Sequence, residues 1–348
     1  MHVEMKNLLF LLAAMSLLLP GCGRKTASEG ESPLPLIFET DLGNDVDDAL
    51  ALDLLYKYQD AGKIRLLAVN LNKNGEAPAE FADIMNTWYG YPDIPIGIIR
   101  DGADCETDAA VNYAKAVVDM KDAEGKPLFA RSHPGYQDYP EAVTLYRKLL
   151  AAEQDTSVVI ASVGFSTNLI RLLLTDADEY SPLNGKELVA KKVKLLVTMA
   201  GCINDPKTHE YNVKKDIPAA KVIFEQWPTP VVTSPFEVGV QVRYPATSIE
   251  NDFAWAPQHP VVEAYKAYLP MPYNRPTWDP TAVLYAVEGG DWFTVSAPGR
   301  IQVTEEGSTL FSEEEGGSRR YLSLTPGQAD AVLTHFVEVI TSRPKTRQ

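Results

Sequence analysis

The stretch Glu39-Thr40-Asp41-Leu42-Gly43-Asn44-Asp45-Val46-Asp47-Asp48-Ala49-Leu50-Ala51-Leu52 carries four aspartates within eight positions. Carboxylates this close repel one another strongly unless a cation neutralises them. Helix capping accounts for one or two of them, with Asp45 or Asp47 as N-cap and others set against the helix dipole. It leaves the rest unexplained, so the spacing points to a metal site. A purely oxygen donor set selects Ca²⁺ or Mg²⁺ over zinc. Two other loops are excluded. An EF-hand counted from Asp41 needs Gly and Glu at its sixth and twelfth positions, where Val46 and Leu52 stand. A haloacid-dehalogenase-type phosphatase needs an aspartate nucleophile where Glu39 stands.

The flanking elements determine how the cluster is held. Leu34–Thr40 reads as a buried strand. Val46–Tyr58 reads as a helix, with Leu50, Leu54 and Tyr58 in one i, i+4 row joined by Val46. Asp41 then sits at the carboxyl end of a strand, where open α/β sheets bind ligands. Further strands are expected at Ile64–Leu71, Ile94–Ile99, Ser157–Val163, Val193–Met199 and Pro230–Ser234. Helices are expected at Pro78–Tyr89, Ala109–Met120, Tyr139–Ala152, Asn168–Leu174 and Pro218–Gln226. This alternation predicts an α/β fold with a doubly wound, mainly parallel sheet. Later come helices at Val261–Tyr268 and Thr281–Val287. Strands Gly299–Val303 and Arg320–Leu324 flank an acidic turn, Glu313 to Gly317, as a small hairpin, and Gly327–Ile340 is a closing helix. No internal repeat is visible, and residues 34–343 read as a single domain.

The chain has 348 residues, 45% hydrophobic and 23% charged, an ordinary globular composition. Its 47 acidic and 32 basic side chains give a net charge of -15, which repels a nucleic-acid polymer but not a small ligand that meets a bound cation. Near the start, Lys6 precedes an apolar run, Leu8 to Leu19, too short to span a bilayer. It ends in Leu19-Pro20-Gly21-Cys22, which resembles a bacterial lipobox. The expectation is a signal peptide over residues 1–21, acylation of Cys22 and a polar tether over 22–33. The protein would then be held in the bacterial cell envelope, touching the membrane through its lipid anchor only. The plainer alternative is an ordinary signal peptide with an incidental cysteine. Cys105 and Cys202 remain; their spacing does not reveal whether they meet, and two separate buried thiols are the favoured reading.

Around the aspartates the sequence resembles the inosine–uridine-preferring nucleoside hydrolase family, whose signature DTDPGxDDAxAL is answered here by ETDLGNDVDDALAL. Further blocks follow in the family's order. Asn74 lies on the loop after the second strand. Ser162-Val163-Gly164-Phe165-Ser166-Thr167-Asn168-Leu169 stands for PTGxLTNxA, and Met199-Ala200-Gly201 for MGG. Asn204 with Glu210-Tyr211-Asn212 stands for N…EFN, Asp216-Ile217-Pro218-Ala219-Ala220 for DPEAA, and Trp278-Asp279-Pro280-Thr281-Ala282-Val283 for HDPxAV. The resemblance spans Leu34 to Ser342. It implies Ca²⁺-dependent hydrolysis of a nucleoside's N-glycosidic bond to free base and sugar. Asp41, Asp48 and Asp279 would ligate Ca²⁺ by side chain and Val163 by its carbonyl. Asp47, Asn74 and Asn212 would hold the ribose diol, and Asn204 and Glu210 the 5′-hydroxyl. Asp41 would take the proton of the attacking water. Family members are often dimers or tetramers, which leaves a homo-oligomer open.

Two departures from the pattern matter. Five residues separate Asp41 from Asp47-Asp48 where the signature has three, an enlargement that could bring Asn44 or Asp45 into the site. Trp278 stands where many members have a histidine that protonates the leaving base, and indole cannot act as an acid. Trp278 is either an aromatic packed at a helix start or a stacking wall for the base, the latter implying a weak preference for purine ribosides. His209, beside Glu210, is the nearest histidine by motif. Alternatives in function are a Ca²⁺-dependent nucleoside- or sugar-binding lipoprotein without turnover, and a hydrolase of another glycosidic bond. The anchor itself is testable: globomycin should block processing of the precursor, and insensitive processing would refute acylation at Cys22.

Overall fold

Along the first strand, β1 (Leu34–Thr40), alternate side chains enter different cores. Leu36 and Phe38 join one apolar cluster and Ile37 another, as the two-residue period of a strand dictates. Both faces are covered by helices, the condition under which parallel sheets occur. The computed structural model describes residues 32–103, 112–133 and 135–347. The residues expected as a signal peptide, Cys22, most of the expected tether and Cys105 lie outside the described residues. Pro33–Gln348 form one compact unit.

After β1 come α1 (Asp47–Asp60), β2 (Ile64–Leu71), α2 (Glu76–Tyr89), β3 (Ile96–Gly97), α3 (Tyr113–Val118), α4 (Ala142–Ala152), β4 (Val158–Ser162) and α5 (Thr167–Leu173). Then follow α6 (Gly185–Lys192), β5 (Val193–Thr198), α7 (Tyr211–Lys215), α8 (Ile217–Gln226), β6 (Val231–Thr233), α9 (Phe236–Gly239), β7 (Arg243–Tyr244) and α10 (Ala246–Asn251). The chain ends through α11 (Pro260–Tyr268), β8 (Arg275–Pro276), α12 (Trp278–Glu288), β9 (Thr294–Val295), β10 (Gly299–Val303), β11 (Thr309–Glu313), β12 (Arg319–Ser323) and α13 (Pro326–Ile340). The main sheet runs β11-β10-β12-β6-β5-β4-β1-β2-β3, with β9 pairing β12. Its inner strands, β6 through β3, are parallel, so their carboxyl ends share one rim.

The expected doubly wound sheet and closing helix are present, with three local corrections. The hairpin is formed by β10 and β11 around Thr304–Ser308, not by the strands on either side of the acidic turn. Thr309–Glu313 was the missed strand, and β12 instead extends the main sheet parallel to β6. Helix α4 starts at Ala142 rather than Tyr139, because Tyr139 precedes Pro140 and is held extended. Helix α1 is buried on nearly every side, with Gln59 its one half-exposed residue, where a single apolar row had been expected. It packs against α12, α13, α11 and α2 as well as the sheet, so its first turn is rigidly placed.

Candidate active site

The aspartates gather where β1 ends and two helices begin. Asp47 and Asp48 occupy the first turn of α1, and Asp279 that of α12, which starts three residues earlier than the expected Thr281. The Asp279 backbone N–H donates to Asp47 Oδ2 at 3.0 Å, and the Thr40 hydroxyl donates to Asp48 Oδ1. One carboxylate oxygen from each of Asp47, Asp48 and Asp279 lies within 4.8 Å of the other two, and all three residues are buried. Asp47, expected on the sugar diol, is therefore part of the tight trio. Asp41, expected as a ligand, is not part of it but lines the same cavity.

The enlarged loop supplies new contacts. Gly43 takes a left-handed φ of 108° and donates its N–H to the Tyr113 hydroxyl at 3.0 Å. Asn44 Nδ2 donates to Asp41 Oδ2 at 3.2 Å, while the Lys73 ammonium donates to Asn44 Oδ1. Arg275 Nε donates to Asp45 Oδ1 at 2.8 Å and Nη2 to Oδ2. Asn44 and Asp45 both enter the cavity lining, as the lengthened spacing had suggested.

Burial is the main force on these charges. It pushes Asp47, Asp48 and Asp279 well above the usual carboxylate range, and repulsion among the clustered aspartates, Asp41 and Asp45 included, adds to the rise. Asp41 is raised to about 6 by burial, against the Asn44 hydrogen bond and the Lys73 charge. Buried oxygens with so few donors fit a hard divalent cation, and no histidine or thiol joins the trio to favour zinc. Val163 lines the cavity, and its carbonyl accepts from Asn212 Nδ2 at 3.1 Å, which leaves a second lone pair.

The cavity has a volume of about 440 Å³, within the range of small-molecule sites. Glu210 and Asn212 line it, and both also hold the backbone. Glu210 caps α7, accepting from Asn212 N at 2.8 Å, Val213 N at 3.1 Å and Gly201 N at 2.9 Å. Burial lifts its carboxyl to about 7 against those donors. His209 is an exposed member of the lining. Asn74 accepts from the Tyr136 hydroxyl at 3.4 Å and Asn204 is exposed; neither is among the lining residues.

Trp278 lines the cavity and is packed as well. Its indole N–H donates to the Phe236 carbonyl at 2.9 Å and its ring stacks on Phe236 at 5.6 Å. A Cβ on Gly239 would fall 2.3 Å from Trp278 Cδ1, so a glycine is required there. Gly164 plays the same part for Asp41: a Cβ there would sit 2.8 Å from Asp41 Oδ1 and 2.7 Å from its N. The sequence reading passed over Arg275, Tyr268, Phe236 and Lys73. The one signal available was a basic residue three positions before the Trp278-Asp279 block.

Residues 36–334 match the family model described as inosine-uridine preferring nucleoside hydrolase. No curated protein matches the chain. Solved structures are similar across most of the fold. A plant nucleoside hydrolase is 18% identical with a TM-score of 0.69, over 89% of this chain and 100% of that one. A purine-preferring ribonucleoside hydrolase from Gardnerella vaginalis is 16% identical with a TM-score of 0.66, over 88% and 99%. The type III effector XopQ, solved with adenosine diphosphate ribose, is 18% identical with a TM-score of 0.61, over 89% and 95%.

Two outcomes are expected from this geometry. Gly164→Ala should displace Asp41 and lower kcat by about 10- to 100-fold in a folded protein, the scale of a 1 Å misplacement; unchanged kcat would refute the contact's importance. The second concerns pH. Carboxyl groups raised in the folded state bind more protons there than when unfolded. Stability without metal therefore falls as pH climbs from about 4 through the raised values. A cation that binds the ionised cluster reverses that loss. The melting-temperature gap between Ca²⁺-loaded and EDTA-treated protein should widen from pH 5 to pH 8, and a constant gap would contradict the metal assignment.

Proposed function

Because the chain belongs to the inosine-uridine preferring nucleoside hydrolase family, we propose that it hydrolyses the N-glycosidic bond of a ribonucleoside, purine ribosides preferred, with Ca²⁺ as cofactor. The observation that carries this reading is the convergence of Asp47, Asp48 and Asp279 beside Asp41 in one cavity. Asp41, Asp48 and Asp279, with the Val163 carbonyl, would hold the cation, and Asp47 lies beside them. When bound, Ca²⁺ would supply the positive charge that orients a water and the ribose diol. Asp41 takes the proton of that water at a carboxylate oxygen, and Asn44 fixes its orientation. Asp47 and Asn212 stand ready for the diol, and the remaining lone pair of Glu210 Oε1 for a sugar hydroxyl. The aromatic side chains Trp278, Tyr268 and Tyr211 exclude water from the base. Cys22 would tether the mature chain to the envelope membrane.

A second reading, nucleoside binding without turnover, draws on XopQ having been solved with adenosine diphosphate ribose and on the absent histidine acid. A panel of nucleosides and p-nitrophenyl glycosides, with and without EDTA, separates the two, since saturable binding without cleavage would select the binder. Asp41→Ala should lower kcat at least ~100-fold while Ca²⁺ binding remains measurable by calorimetry. Activity close to wild type would remove Asp41 from the mechanism.

A further inference from the structure

Resting on the reading of the site as an N-glycosidase, we propose that Arg275 recognises the leaving base and selects a 6-oxopurine. Among the described residues that line the cavity, Arg275 is the one Arg or Lys side chain. It is fixed from several sides. Asp45 takes its Nε–H and one Nη2 N–H, and its guanidinium lies 5.1 Å from the Tyr268 ring centroid and 5.2 Å from that of Trp278. With a side-chain exposure of 23%, the plane has little freedom to turn.

A guanidinium has five N–H donors and no acceptor. Asp45 engages two, and the remaining three have no partner among the described residues. The base edge that satisfies such a fork must present two adjacent acceptors. O6 and N7 of hypoxanthine or guanine do so, whereas adenine offers an amino donor beside N7 and uracil no such pair. The same contact answers the absence of an acid at Trp278. Water oxygen bonds to C1′ while the C1′–N9 bond breaks, and the electron pair of that bond passes into the purine. Negative charge spreads to N7 and O6, where the Arg275 N–H groups stabilise it by hydrogen bonding without giving up a proton. The water's proton goes to Asp41, and the departed base takes its own proton from solvent.

The test uses the Ca²⁺-loaded mature chain with inosine, adenosine and uridine as substrates. Arg275→Ala should lower kcat/KM for inosine about 30-fold, the scale of one bidentate base contact, and change adenosine less than about 3-fold. Arg275→Lys should show the same base-selective loss, because an ammonium keeps the charge beside Asp45 but not the fork; this variant decides the matter if the alanine protein does not fold. Inhibition by free hypoxanthine should weaken in parallel while inhibition by ribose holds. Equal losses on every base would overturn the inference, showing that the ion pair only braces the loop, and so would a wild type that prefers uridine. A wild type that cleaves none of the three removes the glycosidase reading, and this inference with it.

Discussion

Asp47 and Asp279 lie 232 positions apart in sequence, yet they share a hydrogen bond at the starts of two helices and crowd Asp48. Burying an ionised carboxylate costs several kcal/mol. A helix dipole returns about 0.3–1 kcal/mol, and a hydrogen bond to a charged group about 1.5–3 kcal/mol. One amide for Asp47, one hydroxyl for Asp48 and a hydrogen bond between the Asp48 and Asp279 carboxyls leave the trio short. Either protons or a cation must make up the difference. The burial of α1 follows from the same need, since repelling groups stay together only on elements that cannot part.

Much of this was legible along the chain. β1 and β2 appear at the residues read from their apolar runs, because each run ends abruptly in polar positions. The four aspartates announced a charged site without reference to any fold. What one-dimensional periodicity could not convey was which faces meet. The row Leu50, Leu54, Tyr58 suggested one buried face, but α12 and α13 close over the others. Thr309–Glu313 was too short and too mixed to read as a strand beside an acidic turn, though it forms the hairpin.

The site shows the same division. Family blocks located Asp41, Asp48, Asp279, Glu210, Asn212 and Trp278, all of which line the cavity. They also named Asn74 and Asn204, which do not. Asp47, read as a sugar contact, also stands within the trio, a closeness to Asp279 that spacing along the chain does not specify. Arg275 went unread because its meaning depends on a carboxylate 230 positions earlier. Close approaches are equally silent in sequence: Gly164 and Gly239 matter only because Asp41 and Trp278 lie against them.

The loop between Asp41 and Asp47 is tied at one end to the sheet and at the other to a buried helix, and its middle reaches across to Arg275. Its ends belong to the machinery that holds charge, whereas its middle faces whatever enters the cavity. Position 45 can therefore drift while Asp41, the Asn44 amide that orients it and the buried carboxylates are kept. A lineage with such a loop has an inexpensive route to new ligands, since selectivity can diversify without rebuilding the chemistry beneath it.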